Sequence, residues 1–523
     1  MSAGRTTRRS LLAAAGGALV GAAAHPPGVL AALAGTAQPT LTGRWIGAVA
    51  AGEQTIHLGG NADMLGVEWG GPGSARLYVR FMTAPGRWSG WVAAGASTHG
   101  PDRPAASVAL IGEPVWTGGT RALQIRSDCR LHGVRLRLVD VSGGIGAHRA
   151  AAAQARSPLA ALAASLPLAA PSLQAAAGQP PIIARRAWAR GMAHPRVAPE
   201  YGAVRLAFVH HTENPNGYLA GEVPAMLRAI FVFHREIRGW NDIGYNFVID
   251  AFGRIFEARA GGIDEPVVGA QAGGYNLVST GVAVLGSFSS RPISAASRRA
   301  LQRLLAWKLA LHGVPAQGRV TVHVNPAGAV YSRYPANAPV SLPRIAGHRD
   351  ADTTDCPGDV LYHQLPAIRP RVHALAPRPV LATLALTPAS PAPAPAQPPP
   401  PPGTPVASGG LAGTLAFLDG APIAGATVQI QARAVTRRGE AIVEQTLAQA
   451  QCDGEGRWSL PDSVVAAATA VSLRALYTGA GAGAGGPPGA GAAVSAPLTL
   501  AASAVTSVPA AAPTPPAAPA PAP

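Results

Sequence analysis

The 523-residue chain has only three cysteines (Cys129, Cys356 and Cys452), one lysine (Lys308) and 9 each of Trp, Tyr and Phe. Three thiols this widely spaced form no readable disulfide framework. With one lysine, the formal charge of +16 rests on arginine, which rises together with Ala, Gly and Pro as GC-rich codon usage produces. Attraction to an anionic cell-envelope polymer stays open as a second cause. The sparse aromatics show no basic–aromatic interleaving and there is no zinc-knuckle spacing, so no nucleic-acid partner is expected. Long apolar runs are missing too. The mildly apolar residues 10–24 are cut off by His25-Pro26-Pro27, short of the ~20 residues a spanning helix needs, and no other transmembrane stretch occurs.

What is present divides the chain. Arg8-Arg9, after Thr6-Thr7 and before Ser10-Leu11-Leu12, gives residues 1–38 the pattern of a twin-arginine export signal, which predicts a secreted or wall-associated protein. Residues 40–145 alternate in short runs between Gly/Pro clusters and are expected to be all-β. Their Trp69, Trp88, Trp91 and Trp116 suit either a core or a glycan platform. An Ala-rich linker (146–180) precedes a stretch of α/β pattern (181–372), and a Pro/Ala-rich spacer (373–407) follows it. Residues 408–500 again alternate in short strands with turns at Asp419-Gly420 and Asp453-Gly454, resembling immunoglobulin-like or carboxypeptidase-regulatory-like β modules. The Ala/Pro tail, 501–523, has the composition of a disordered segment.

Chemistry concentrates in residues 181–372. An apolar strand from Val204 runs into His210-His211-Thr212, and strand alternation lets only one of the two imidazoles face a shared site. Gly347-His348-Arg349-Asp350 is followed by Cys356-Pro357-Gly358. Two imidazoles and a thiolate from separated segments make a three-ligand zinc site with an open fourth position, the pattern of catalysis; structural zinc sites fill all four positions with protein. Val223, Met226, Leu227, Ile230, Phe231, His234 and Ile237 fall at helical spacing, which places His234 in the core. A second helix is expected between a Ser294 cap and Gly313, and a hairpin around Phe252-Gly253.

These segments, with Gly244-Tyr245-Asn246-Phe247, Gly273-Gly274-Tyr275-Asn276 and Asp355-Cys356-Pro357-Gly358, resemble in order the peptidoglycan recognition protein family and its type 2 zinc amidase relatives. The resemblance implies a multidomain protein in which a central α/β amidase domain, a mixed β-sheet flanked by helices, lies between an N-terminal all-β domain and a C-terminal β-sandwich-like domain. It implies zinc held by His210, His348 and Cys356, with His211 turned from the metal toward the substrate side, and catalytic roles for Tyr245 and Thr354. Gln271, which stands where many relatives carry His, would bind substrate together with Asn276 and Arg259. The implied reaction is hydrolysis of the amide between N-acetylmuramic acid and L-alanine in peptidoglycan. The alternative is peptidoglycan binding without cleavage, usual where the cysteine is lost; here Cys356 is retained.

Overall fold

The computed structural model describes residues 39–71, 73–83, 86–97, 99–102, 110–141, 178–377, 379–386, 410–435, 442–461, 472–479, 490, 492–495 and 498–499. The expected export signal, the linker up to residue 177 and the tail lie outside them. Among the described residues no helix is long and apolar enough to cross a membrane.

The N-terminal part is a seven-stranded antiparallel sheet built from strands between Thr40 and Asp140. Alternate residues of Leu131–Asp140 turn inward, so Leu131, Val134, Leu136 and Leu138 are buried with Leu65, Val67, Leu123 and Ile125. Trp69 and Trp116 belong to buried cores, whereas Trp88 and Trp91 are half-buried. The Arg80 guanidinium lies 4.6 Å from the Trp91 ring and that of Arg126 lies 4.4 Å from it. The four tryptophans therefore form no shared platform.

The central part has a six-stranded mixed sheet. Its strands are β1 (Ile182–Ile183), β2 (Leu206–His211), β3 (Phe247–Ile249), β4 (Ile255–Glu257), β5 (Ser279–Val284) and, after a separate hairpin of β6 (Arg319–His323) and β7 (Pro339–Pro343), β8 (Ile345–Gly347). The order is β8-β2-β5-β3-β4-β1, with β8, β2, β5 and β3 parallel in succession and β3/β4 antiparallel. Every residue of β2 and β5 is buried, as expected of parallel strands covered on both faces. The helices are α1 (Arg185–Ala189), α2 (Val223–Val232), α3 (Ala295–Leu311) and α4 (Asp359–Leu375). The Ser294 side chain accepts from the Ser297 N–H, capping α3, and Gly313 follows its end at φ 66°. The expected helix through Ile237 instead changes to a π-helical turn, Phe233–Ile237, after α2. His234 is buried there and accepts a hydrogen bond from the Gly244 N–H at 3.1 Å.

The C-terminal part differs from expectation at its start. Helix α4 runs to Leu375, through Pro366 and Pro370, because Leu361, Leu365, Ile368 and Val372 pack inward at helical spacing. Residues 380–382 and 385–386, expected in the spacer, are strands paired with Leu411–Phe417. A four-stranded and a five-stranded sheet share one core that includes Leu415, Val428, Ile430, Trp458 and Tyr477.

Both flanking parts pack on the centre. Met64, Trp116, Val139 and Val141 share a core with α2. The Arg474 guanidinium of the C-terminal part, 1% exposed, donates to Asp264 and, at 2.5 Å, to Glu265 of the central part.

Candidate metal centre and its surroundings

Parallel strands bring the two histidine segments together. His210 lies near the carboxyl end of β2, and its neighbour β8 ends at Gly347, immediately before His348. Side chains leaving the carboxyl ends of adjacent parallel strands converge, the usual location of a site in such sheets. Cys356 reaches the same point through a return loop in which the Arg349 N–H donates to the Cys356 carbonyl at 3.0 Å. Gly358 ends that loop at φ 86°, and a Cβ there would stand 2.4 Å from the Phe288 carbonyl carbon, so glycine is required.

The donors meet in a dry cluster. His210 and His348 are 0% exposed and Cys356 is 3% exposed, with Cys356 Sγ 3.6 Å from His210 Nδ1. His348 Nε2 lies 2.7 Å from Asp352 Oδ2, leaving His348 Nδ1 buried without a partner. Burial and the nearby Asp102 push the Asp352 carboxyl up. Burial pushes both imidazoles well below their ordinary range and the Cys356 thiol well above its own. Neutral rings with a free lone pair and a buried thiol suit a soft-to-borderline divalent ion, whose charge favours the thiolate. The residues fit zinc.

A fourth side chain enters from the N-terminal part, where His99 lies outside the strands, after Val92–Ala93. Donor atoms of His99, His210, His348 and Cys356 all lie within 4.8 Å of one another, and all four residues are buried. His99 Nε2 is 3.3 Å from His210 Nδ1, and its Nδ1 is 2.8 Å from Glu113 Oε1. Burial alone would raise the Glu113 carboxyl, but His99 and Arg238 hold it well below the usual carboxylate range. Nothing in the sequence singled out His99, Glu113 or Asp102. A lone His in a β region carries no motif, and its nearest ligand partner is 111 positions away.

The other expected site residues divide. Tyr245 is 3% exposed with its ring 5.5 Å from that of His210, and burial pushes its phenol well above the ordinary range. Thr354 Oγ1 accepts from the Cys356 N–H at 3.2 Å. Asn276 accepts from the Gln271 and Ala272 N–H groups and donates to the Gly100 carbonyl and Asp102. Three expected substrate contacts are held by neighbouring groups in this structure. His211 turns from the cluster as expected, but it is 1% exposed, with Nε2 3.0 Å from Glu213 and Nδ1 accepting from the Phe288 N–H, so it has no open face. Gln271 is 0% exposed and donates to Ser279 Oγ, wedged where a Cβ on Gly281 would stand 2.4 Å from its Cγ. Arg259 donates to the Ile243 carbonyl at 2.8 Å and so braces the chain before Tyr245.

Residues 200–359 match a family model described as N-acetylmuramoyl-L-alanine amidase, and residues 30–158 match one described as Rv3811 N-terminal galactose-binding domain-like. Peptidoglycan-recognition protein SC2 of Drosophila simulans is 26% identical over 159 residues, 30% of this chain and 71% of that protein. The N-acetylmuramoyl-L-alanine amidase of Homo sapiens is 30% identical over 207 residues, 39% of this chain but only 31% of that protein. Among solved structures, peptidoglycan recognition protein-LE in complex with tracheal cytotoxin has 25% identity, covering 36% of this chain and 92% of that one, with a TM-score of 0.28. Residues 200–359 thus form a domain of the N-acetylmuramoyl-L-alanine amidase family, similar in sequence to peptidoglycan-recognition proteins.

Proposed function

We propose that the protein is an exported zinc amidase that hydrolyses the bond between N-acetylmuramic acid and L-alanine in peptidoglycan. The observation that carries this reading is the convergence of His210, His348 and Cys356 donors in one buried cluster, with Asp352 behind His348. A zinc ion held there would polarise the amide carbonyl and lower the pKa of a water molecule toward ~7. The chain's own groups do the rest. Asp352 orients the His348 ring through Nε2 and keeps Nδ1 directed into the cluster. The Tyr245 phenol, kept protonated by burial, donates to the oxyanion that develops on the scissile carbonyl. The Thr354 hydroxyl accepts from the Cys356 N–H and still has its own proton to donate.

Retention of Cys356 beside both histidines favours cleavage over mere binding. The same reading assigns residues 1–38 to export and residues 408–500 to a β-sandwich-like accessory module, and makes peptidoglycan the substrate. Zinc content and new L-alanine amino termini released from peptidoglycan are measured for the wild type and for His99→Ala, in which the imidazole over the cluster is gone. Each is compared with its Cys356→Ser counterpart. The expected result is release that depends on Cys356, with zinc lost from the chain that lacks both the Cys356 thiol and the His99 imidazole. Release that survives Cys356→Ser, or zinc-loaded protein of both parents that frees no alanine amine, would refute the reading.

A further inference from the structure

We propose that His99 is a fourth protein ligand to the metal held by His210, His348 and Cys356, so that the folded chain is a latent form whose open coordination position is closed by its own N-terminal part. The inference rests on the metal reading above. A tetrahedral zinc, with Zn–N near 2.05 Å and Zn–S near 2.3 Å, sets two nitrogens about 3.3 Å apart and a nitrogen and a sulfur about 3.6 Å apart. His99 Nε2 and His210 Nδ1 are 3.3 Å apart, and His210 Nδ1 and Cys356 Sγ are 3.6 Å apart. The His99 ring also lies 4.5 Å from that of His348. Three protein ligands leave a position for water; four do not.

The support behind His99 repeats that behind His348. Each ring has one nitrogen on a buried carboxylate, Glu113 at 2.8 Å or Asp352 at 2.7 Å, and the other nitrogen in the cluster. A carboxylate behind an imidazole fixes the tautomer whose lone pair faces a metal. An imidazole that only packed at the interface would instead take the His210 Nδ1 proton as a hydrogen bond, and His210 could not then ligate through that atom.

The strap that carries His99 is built into the central part. Asp102 Oδ1 accepts from the Gly274 N–H and from Asn276 Nδ2, each at 2.8 Å, and the Gly100 carbonyl accepts from Asn276 at 2.9 Å. A Cβ on Gly100 would stand 2.2 Å from the Tyr331 ring, so the strap lies close against that ring. Asn276, an expected substrate contact, is thereby occupied by the chain itself. A substrate amide reaches the cluster only after this strap has left.

The test loads the full chain with cobalt(II) in place of zinc and titrates the visible spectrum with azide, which binds only an open metal position. The wild-type spectrum is expected to be that of a closed four-coordinate centre, unchanged by azide, while His99→Ala becomes azide-responsive. Glu113→Gln, which removes the positioning group and leaves the ligand, is expected to weaken zinc binding about tenfold or more in competition with a chelator. L-Alanine release is expected to rise about tenfold or more in His99→Ala. A wild-type cobalt spectrum that responds to azide as His99→Ala does would overturn latency and leave the metal reading standing. A wild type that takes up neither cobalt nor zinc would overturn both. The wild-type titration decides the matter even if His99→Ala fails to fold.

Discussion

A buried imidazole nitrogen without a hydrogen-bond partner is an unfavourable arrangement for a protein interior, and His348 Nδ1 is one. A cation resolves this, which makes the groups around the donors as testable as the donors. Asp352→Asn keeps the size of the side chain but weakens its hold on His348 Nε2. Zinc affinity, measured by chelator competition, should fall about 10- to 100-fold while the melt stays close to wild type. Tyr245→Phe makes the opposite separation: zinc content should be unchanged, while L-alanine release, measured in the His99→Ala background, should drop on the order of 10²-fold. At this scale residue types and spacing pointed to a His/His/Cys cluster, and the family resemblance chose His210 over His211 where strand alternation left the pair open. His99 was not legible, since its role exists only where the N-terminal part meets the centre. The packing of Gln271 was hidden for a related reason, because sequence shows a polar residue near the site but not that Gly281 leaves it a buried slot.

Elements were legible where periodicity and punctuation agreed. The Ser294 cap with Gly313, and the turn at Phe252-Gly253 in which Asp250 Oδ1 accepts from the Phe252 and Arg254 N–H groups, stand where the pattern put them. Composition misled at residues 380–386, where Pro and Ala nearby concealed strands whose pairing comes from Leu411–Phe417. The return loop to Cys356 offers the sharpest test of an element. Gly358→Ala combines a positive φ with a backbone contact that cannot move aside, and should lower stability in a denaturant melt by about 1–3 kcal/mol or more, with zinc lost in parallel.

Across the whole molecule the flanking parts are fastened to the centre. Arg474 and Glu265 are each 1% exposed, and Arg474→Ala, which removes the guanidinium that Asp264 and Glu265 both accept from, should be destabilising in a denaturant melt. Limited proteolysis should then separate the C-terminal part from the central part far faster than in wild type; equal rates would show that the ion pair does not hold the interface. The N-terminal contact through Met64, Trp116, Val139 and Val141 has the further effect of delivering His99 to the cluster. X-ray absorption at the zinc edge of the full-length protein tests the account most directly. It should show one sulfur at about 2.3 Å and imidazole nitrogens at about 2.0–2.1 Å around a single bound ion. A shell without sulfur, or a chain that retains no zinc, would contradict it.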